Sequence, residues 1–97
     1  DMIFDTQGRT LSPHVITNNM WKFTQVRQFQ FIQTQKMQYR LRLNIAPDAR
    51  EAEAEILKTL REIVGENAMI SVEYVEQIPA LKSGKFRYVM NDLQKGN

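Results

Sequence analysis

The chain has 97 residues, 42% of them hydrophobic and 25% charged, with a formal charge of +2. This balance describes one globular domain of ordinary composition and excludes disordered and fibrous classes. Cysteine is absent, which excludes a disulfide framework and a thiolate metal site and fits a cytoplasmic setting, and no apolar run approaches the roughly 20 residues needed to span a bilayer.

Met2-Ile3-Phe4, the turn residues Asp5-Thr6-Gln7-Gly8, and Arg9-Thr10-Leu11 read as a β-hairpin, with Gly8 supplying the positive φ of its loop. Ser12-Pro13 is an N-cap followed by a first helical residue, opening a helix that runs to about Trp21 with Ile16, Met20 and Phe23 at helical spacing. Residues 25–33 alternate with some apolar residues on both faces, a strand covered at least in part on both sides, and Thr34-Gln35-Lys36 is the expected turn. Tyr39, Leu41, Leu43 and Ile45 then point one way and Gln38, Arg40, Arg42 and Asn44 the other, the clearest strand of the chain, ended by Ala46-Pro47. Asp48 is the expected cap of a helix reaching Val64, with Ala49, Ala52, Ile56, Leu57, Leu60, Ile63 and Val64 on one stripe and Gly65 just past its end. Ala68, Ile70, Val72 and Tyr74 form a third alternating strand. After the turn at 78–85, Phe86, Tyr88 and Met90 alternate with Arg87 and Val89 as a further strand pattern, and the tail from Asn91 to Asn97 is expected to fray. The fold class that follows is α+β: an N-terminal β-hairpin, then a small, mainly antiparallel three-stranded sheet packed against two or more helices.

Charge is segregated along this order. No acidic residue occurs between Thr6 and Pro47, whereas Arg9, Lys22, Arg27, Lys36, Arg40 and Arg42 do; acids dominate from Asp48 to Glu76; Lys82, Lys85, Arg87 and Lys95 follow. If the basic regions converge, they suit an anionic ligand or an acidic partner. Lys85, directly after Gly84 at the rim of a sheet, can carry a full charge into a neighbouring cleft on its flexible stem. Nothing else offers catalytic chemistry. His14 is the single histidine and makes neither a triad nor a metal site. Phe29, Phe31 and Tyr39 near basic residues fit a nucleic-acid stacking platform, but core packing explains them more simply and no RNP-like motif is present.

Two stretches carry a family resemblance. Asp1-Met2-Ile3-Phe4, Gly8-Arg9 and Ser12-Pro13 resemble the segment just after the hinge of adenylate-forming (AMP-binding) enzymes, where a Gly-Arg-x-Asp-Asp motif leads into a glycine-bearing hairpin. Ile78-Pro79 through Gly84-Lys85-Phe86-Arg87 resembles their closing motif, Pro-x-x-x-x-Gly-Lys-x-x-Arg, with Arg87 one place early. Within the superfamily the chain looks most like the phenylacetate-CoA ligase group, although Gly8 to His14 departs from the stretch typical of the phenylacetate enzymes and leaves the acid unassigned.

The resemblance implies a single domain over 1–97, the mobile C-terminal domain of an ATP-dependent acid–CoA ligase, cut from a longer protein whose large N-terminal adenylation domain is its partner. ATP and coenzyme A are the implied cosubstrates, with Mg2+ carried on ATP through the large domain, and a small aromatic or other carboxylic acid is the substrate. Lys85 matches the adenylation lysine, and Gly84 belongs to the same motif. Gly8 matches the position lining the pantetheine tunnel, Arg9 stands as a phosphate contact for coenzyme A, and Asp1 matches the second residue of the Asp-Asp pair beside the hinge. Alone, such a fragment is expected to be inactive. The contrasting reading is a non-catalytic basic α+β module that uses Arg40, Arg42, Lys82 and Lys85 to bind nucleic acid or an acidic protein.

Overall fold

The computed structural model describes residues 1–93. Strands β1 (Ile3–Phe4) and β2 (Thr10–Leu11) form the expected antiparallel hairpin. Helix α1 (Pro13–Met20) begins where Ser12 accepts the backbone N–H of His14, so the cap and the proline act as their sequence positions predict. Strands β3 (Val26–Gln35) and β4 (Gln38–Ile45) pair antiparallel, α2 (Glu53–Val64) follows, and β5 (Met69–Tyr74) and β6 (Val89–Asn91) complete a four-stranded sheet in the order β5-β4-β3-β6.

The α+β class holds, and the sheet is mixed. β4 pairs β5 in parallel and β3 pairs β6 in parallel, leaving β3–β4 as the antiparallel pair of the four. Parallel neighbours need a crossover. Helix α2 supplies the first, between β4 and β5. The second joins the two edges of the sheet, because β5 lies beyond β4 and β6 beyond β3.

The core lies between one face of this sheet and the two helices. Ile16 and Met20 of α1 and Ile56, Leu60 and Val64 of α2 pack with Phe29, Phe31, Tyr39, Leu41, Leu43 and Ile45. The rings of Phe31 and Tyr39 stack with centroids 5.2 Å apart. Burial of these apolar groups is the main stabilising term. Polar anchors position the hairpin on it: the Phe4 N–H donates to Oε1 of buried Gln33 at 2.8 Å, and the Tyr39 hydroxyl donates to the Phe4 carbonyl at 2.6 Å. Burial, with the Asp5 charge nearby, pushes the Tyr39 phenol up to about 12, so it stays a donor at ordinary pH.

Four details differ from the sequence reading. The β3–β4 turn is Lys36-Met37 rather than 34–36, with Met37 at φ 64°, because pairing continues through Gln33↔Tyr39 and Gln35↔Gln38 after the apolar alternation has ended. The helix expected from Asp48 is a 3-10 helix over Pro47–Ala52 before α2, and Asp48 is not its cap; Ala46 takes that position without a side-chain bond. Tyr74 spans this junction, its ring 4.0 Å from the Arg50 guanidinium and its hydroxyl bonded to Glu53. The last strand is confined to Val89–Asn91, which pairs with residues 31–33 of β3, with Val89 buried and Phe86 and Tyr88 exposed. The tail is fastened at its start: the Asn91 side chain donates to the Met2 carbonyl, and the Asp92 N–H donates to the Gln33 carbonyl at 2.9 Å. The expectation for residues 94–97 lies outside the described residues. Among the described residues no helix is long and apolar enough to cross a membrane.

The end of α2 abuts the hairpin loop. The Thr6 N–H donates to the Val64 carbonyl at 2.8 Å, and Gly65 adopts φ 132°, ψ 141°, where a Cβ would stand 2.1 Å from the Thr6 hydroxyl oxygen. Gly65→Ala is therefore expected to destabilise the domain by about 1–3 kcal/mol in denaturant unfolding. Adding Thr6→Ala should recover the steric part of that loss and leave the backbone part.

Candidate functional site

The two glycine–basic pairs singled out in the sequence stand in loops of one design. In the first, the Asp5 N–H donates to the Arg9 carbonyl at 2.8 Å and the Gly8 N–H to the Asp5 carbonyl at 3.0 Å. In the second, the Leu81 N–H donates to the Lys85 carbonyl at 2.8 Å and the Gly84 N–H to the Leu81 carbonyl at 2.8 Å. Gly8 has φ 85° and Gly84 φ 83°. Each is a three-residue turn closed by a left-handed glycine, and each sends a cation out directly after it. Among the described residues a Cβ on either glycine would meet nothing within 4 Å beyond its chain neighbours, so the positive φ is what calls for glycine there.

The loops differ at their first residue. Asp5 is buried, and its carboxylate accepts the N–H groups of Gln7 and Arg9 and the Arg9 Nε, each at 2.9 Å. Arg9, 73% exposed, is thus drawn back onto its own turn, leaving part of its guanidinium outward. The corresponding residue of the second loop is Leu81, which has no charge to offer. Among the described residues, no side chain forms a hydrogen bond or ion pair with the Lys85 ammonium, and Lys85 is exposed.

The second loop is instead held from the sheet. It lies on the connection from β5 to β6, which among the described residues has no ladder of its own between Val75 and Tyr88. Gln28 grips both backbone groups of buried Ile78: its Oε1 accepts the Ile78 N–H at 2.9 Å, and its Nε2 donates to the Ile78 carbonyl at 3.0 Å. Asn44 Nδ2 donates to the same Oε1 at 2.9 Å. On the far side of the loop, buried Gln30 donates through Nε2 to the Arg87 carbonyl at 3.0 Å and accepts from Arg42 at 3.1 Å, while Arg42 Nε pairs with Glu73 at 2.9 Å. Sequence reading passed over these two glutamines. The one signal they left was polar residues at alternating strand positions before a long crossover.

Other candidates fall elsewhere. Asp1 is beside β6, its carboxylate accepting the Asn91 N–H at 3.3 Å. Phe29, Phe31 and Tyr39 are buried in the core. Arg42 is engaged by Glu73, whereas Arg40 is exposed. An aromatic cleft that the pattern did not forecast lies beside the Lys85 loop, where Phe86 and Tyr88 face Trp21 and His14 of the α1 region; Trp21 is 79% exposed. No three His, Cys, Asp or Glu side chains gather as metal ligands among the described residues.

The Arg9 backbone N–H holds the Asp5 carboxyl below its ordinary value of 3.8; burial opposes this, and the Arg9 and Gln7 contacts add to it. A depressed carboxylate stabilises the folded loop above its unfolded pKa, and that contribution is lost as pH falls through the folded one. The amide resonances of Gln7 and Arg9 should therefore titrate with a midpoint below 3.8, and Asp5→Asn should abolish the transition. A midpoint at or above that value would contradict the assigned lock.

Comparison with curated proteins finds no match. The hairpin, both glycine turns and the crossover that bears Lys85 all lie within residues 3–92, the span matched by the model of the CapK C-terminal domain, and the chain belongs to that family.

Proposed function

We propose that this domain serves an ATP-dependent acid–CoA ligase of the phenylacetate-CoA ligase type, supplying the adenylation lysine in one half-reaction and the coenzyme A hairpin in the other. The observation that carries the reading is the pair of matched glycine turns with opposite treatment of their cations. Arg9 is held back by Asp5, and among the described residues Lys85 is left uncommitted. Membership of the CapK C-terminal family, which is linked to adenylate-forming enzymes, supports it.

In the first half-reaction a carboxylate oxygen of the acid attacks the α-phosphorus of ATP, forming the acyl-adenylate and expelling pyrophosphate. Two anions must approach, and negative charge gathers at the reacting centre. The Lys85 ammonium, carried outward from its turn, bridges them by charge and position and transfers no proton. In the second half-reaction the thiol sulfur of coenzyme A attacks the acyl carbon and AMP departs. The Gly8 turn offers an open backbone along which the thiol arm passes, and the outward part of Arg9 meets a phosphate.

The anchors of the two turns favour alternation between these roles. Gln33, which holds the hairpin, faces the core side of β3, whereas Gln28 and Gln30, which hold the Lys85 crossover, share the other face with Asn44 and Arg42. In this reading the domain addresses one active centre with one turn at a time and rotates between them. Phe86, Tyr88 and Trp21 form the apolar ground beside Lys85 that a large adenylation domain can cover.

In the full-length protein, Lys85→Ala is expected to lower acid-dependent ATP–pyrophosphate exchange by at least the roughly 10²- to 10³-fold typical of a lost transition-state charge contact. Thioester formation from supplied acyl-adenylate should survive. Equal loss of both half-reactions would refute the role. Gly8→Asn, which tolerates the left-handed dihedral while adding bulk, should do the reverse, sparing exchange and slowing thiolation. Leu81→Asp should also suppress exchange, because it gives the second turn the carboxylate that captures Arg9 in the first.

A further inference from the structure

A turn that must present a cation into another domain's active centre has to be both ordered and uncommitted. The first turn obtains its order from Asp5, at the cost of tying Arg9 to the same carboxylate. The second cannot use that device, since an acid at position 81 would seize Lys85. Its crossover also has few ladder contacts to fix it: residues 79–88 are exposed, and the turn's own two backbone bonds, from Leu81 and Gly84, fix its shape but not its place on the sheet.

Place is set at the two stems. Gln28 meets Ile78 with both ends of one carboxamide, an arrangement that holds position and orientation together, as a strand neighbour would. Gln30 takes the Arg87 carbonyl, two residues beyond Lys85, and β6 pairing begins at once after it, where the Phe31 N–H donates to the Tyr88 carbonyl at 2.8 Å. Neither glutamine is free to turn away. Asn44 engages the oxygen of Gln28, and Arg42, braced by Glu73, engages the oxygen of Gln30, so each amide has its donor end directed at the crossover. The two relays share β3 and β4 and meet nothing of the hairpin.

We infer that Gln28 and Gln30 are positioning residues for the adenylation half-reaction: they act through the backbone at Ile78 and Arg87 to hold the Lys85 turn in register, replacing with outside bonds the carboxylate lock that the Gly8 turn carries within itself. The inference rests on the proposed role of Lys85 for its catalytic consequence, but not for its effect on the order of the turn. Removing the Gln28 amide leaves both backbone groups of buried Ile78 without their partner, and removing the Gln30 amide frees the Arg87 carbonyl, so either change loosens the turn at one stem. A displacement of an ångström in a charge contact of this kind lowers a rate by as much as about 10²-fold.

The test uses Gln28→Met and Gln30→Met in the full-length protein, each preserving side-chain length and removing the hydrogen bonds. Amide hydrogen exchange should accelerate at Leu81 and Gly84, the two bonded amides of the turn, and remain unchanged in β1, β2 and α2. ATP–pyrophosphate exchange should fall roughly 10- to 100-fold in kcat with little change in the KM for ATP, while thiolation from supplied acyl-adenylate is retained. In a Lys85→Ala background neither substitution should lower the exchange rate further. Unchanged protection of the turn in both variants, or equal loss of both half-reactions, would overturn the inference, as would a further fall in the Lys85→Ala background. Should Lys85→Ala itself retain full exchange, the catalytic assignment of Lys85 fails, and loosening of the turn in the methionine variants still reports separately on the glutamines.

Discussion

Strand β3 is the constraint on which the remaining structure depends, because it is hydrogen-bonded in four directions. One edge carries β4 and the other carries β6. Its core face sends Gln33 to the hairpin, and its opposite face sends Gln28 and Gln30 to the crossover. A central strand in a mixed sheet ordinarily spends its backbone on its neighbours and its side chains on packing. Here three of its side chains extend hydrogen bonding to segments without a ladder long enough to hold themselves. Buried polar side chains are costly unless satisfied, and each of these glutamines has a partner at hydrogen-bond distance.

That arrangement gives the two turns their separate characters. The hairpin is stiffened inside itself by Asp5 and outside by Gln33 and Tyr39, and its loop leans on the end of α2 through Thr6 and Gly65. The Lys85 turn has two backbone bonds within it and two carboxamides at its stems, and no described side chain claims its cation. It is an arm, placed rather than packed. In the proposed enzyme these are the properties that a tunnel wall and a mobile charge respectively need.

The aromatic residues divide along the same line. Phe31 and Tyr39 stack in the core, where their area stabilises the sheet. Tyr88 stacks on Phe29 at 5.2 Å and lies near Phe86, exposed beside the crossover. The shared contact with Phe29 links the ground around Lys85 to the core without burying it.

Most of the local elements were legible in the order of residues, since each is written in short-range terms: Ser12-Pro13 at a helix start, the alternation of Tyr39, Leu41, Leu43 and Ile45, the amphipathic stripe of α2, and Gly8 and Gly84 at turns that need positive φ. The two loops of interest were legible for the same reason, as motifs confined to a few neighbours. The parallel pairings, the 3-10 segment before α2, and the anchoring of Asn91 and Asp92 were not, because each depends on a partner remote in the chain: β3 for β6, Tyr74 for the Arg50–Glu53 junction, Met2 and Gln33 for the tail. The glutamines lay furthest from view. A carboxamide gives no periodic or charge signal, and its meaning at positions 28 and 30 arises only when the chain, having left β5 at one edge of the sheet, must cross to the other and finds its backbone groups met there.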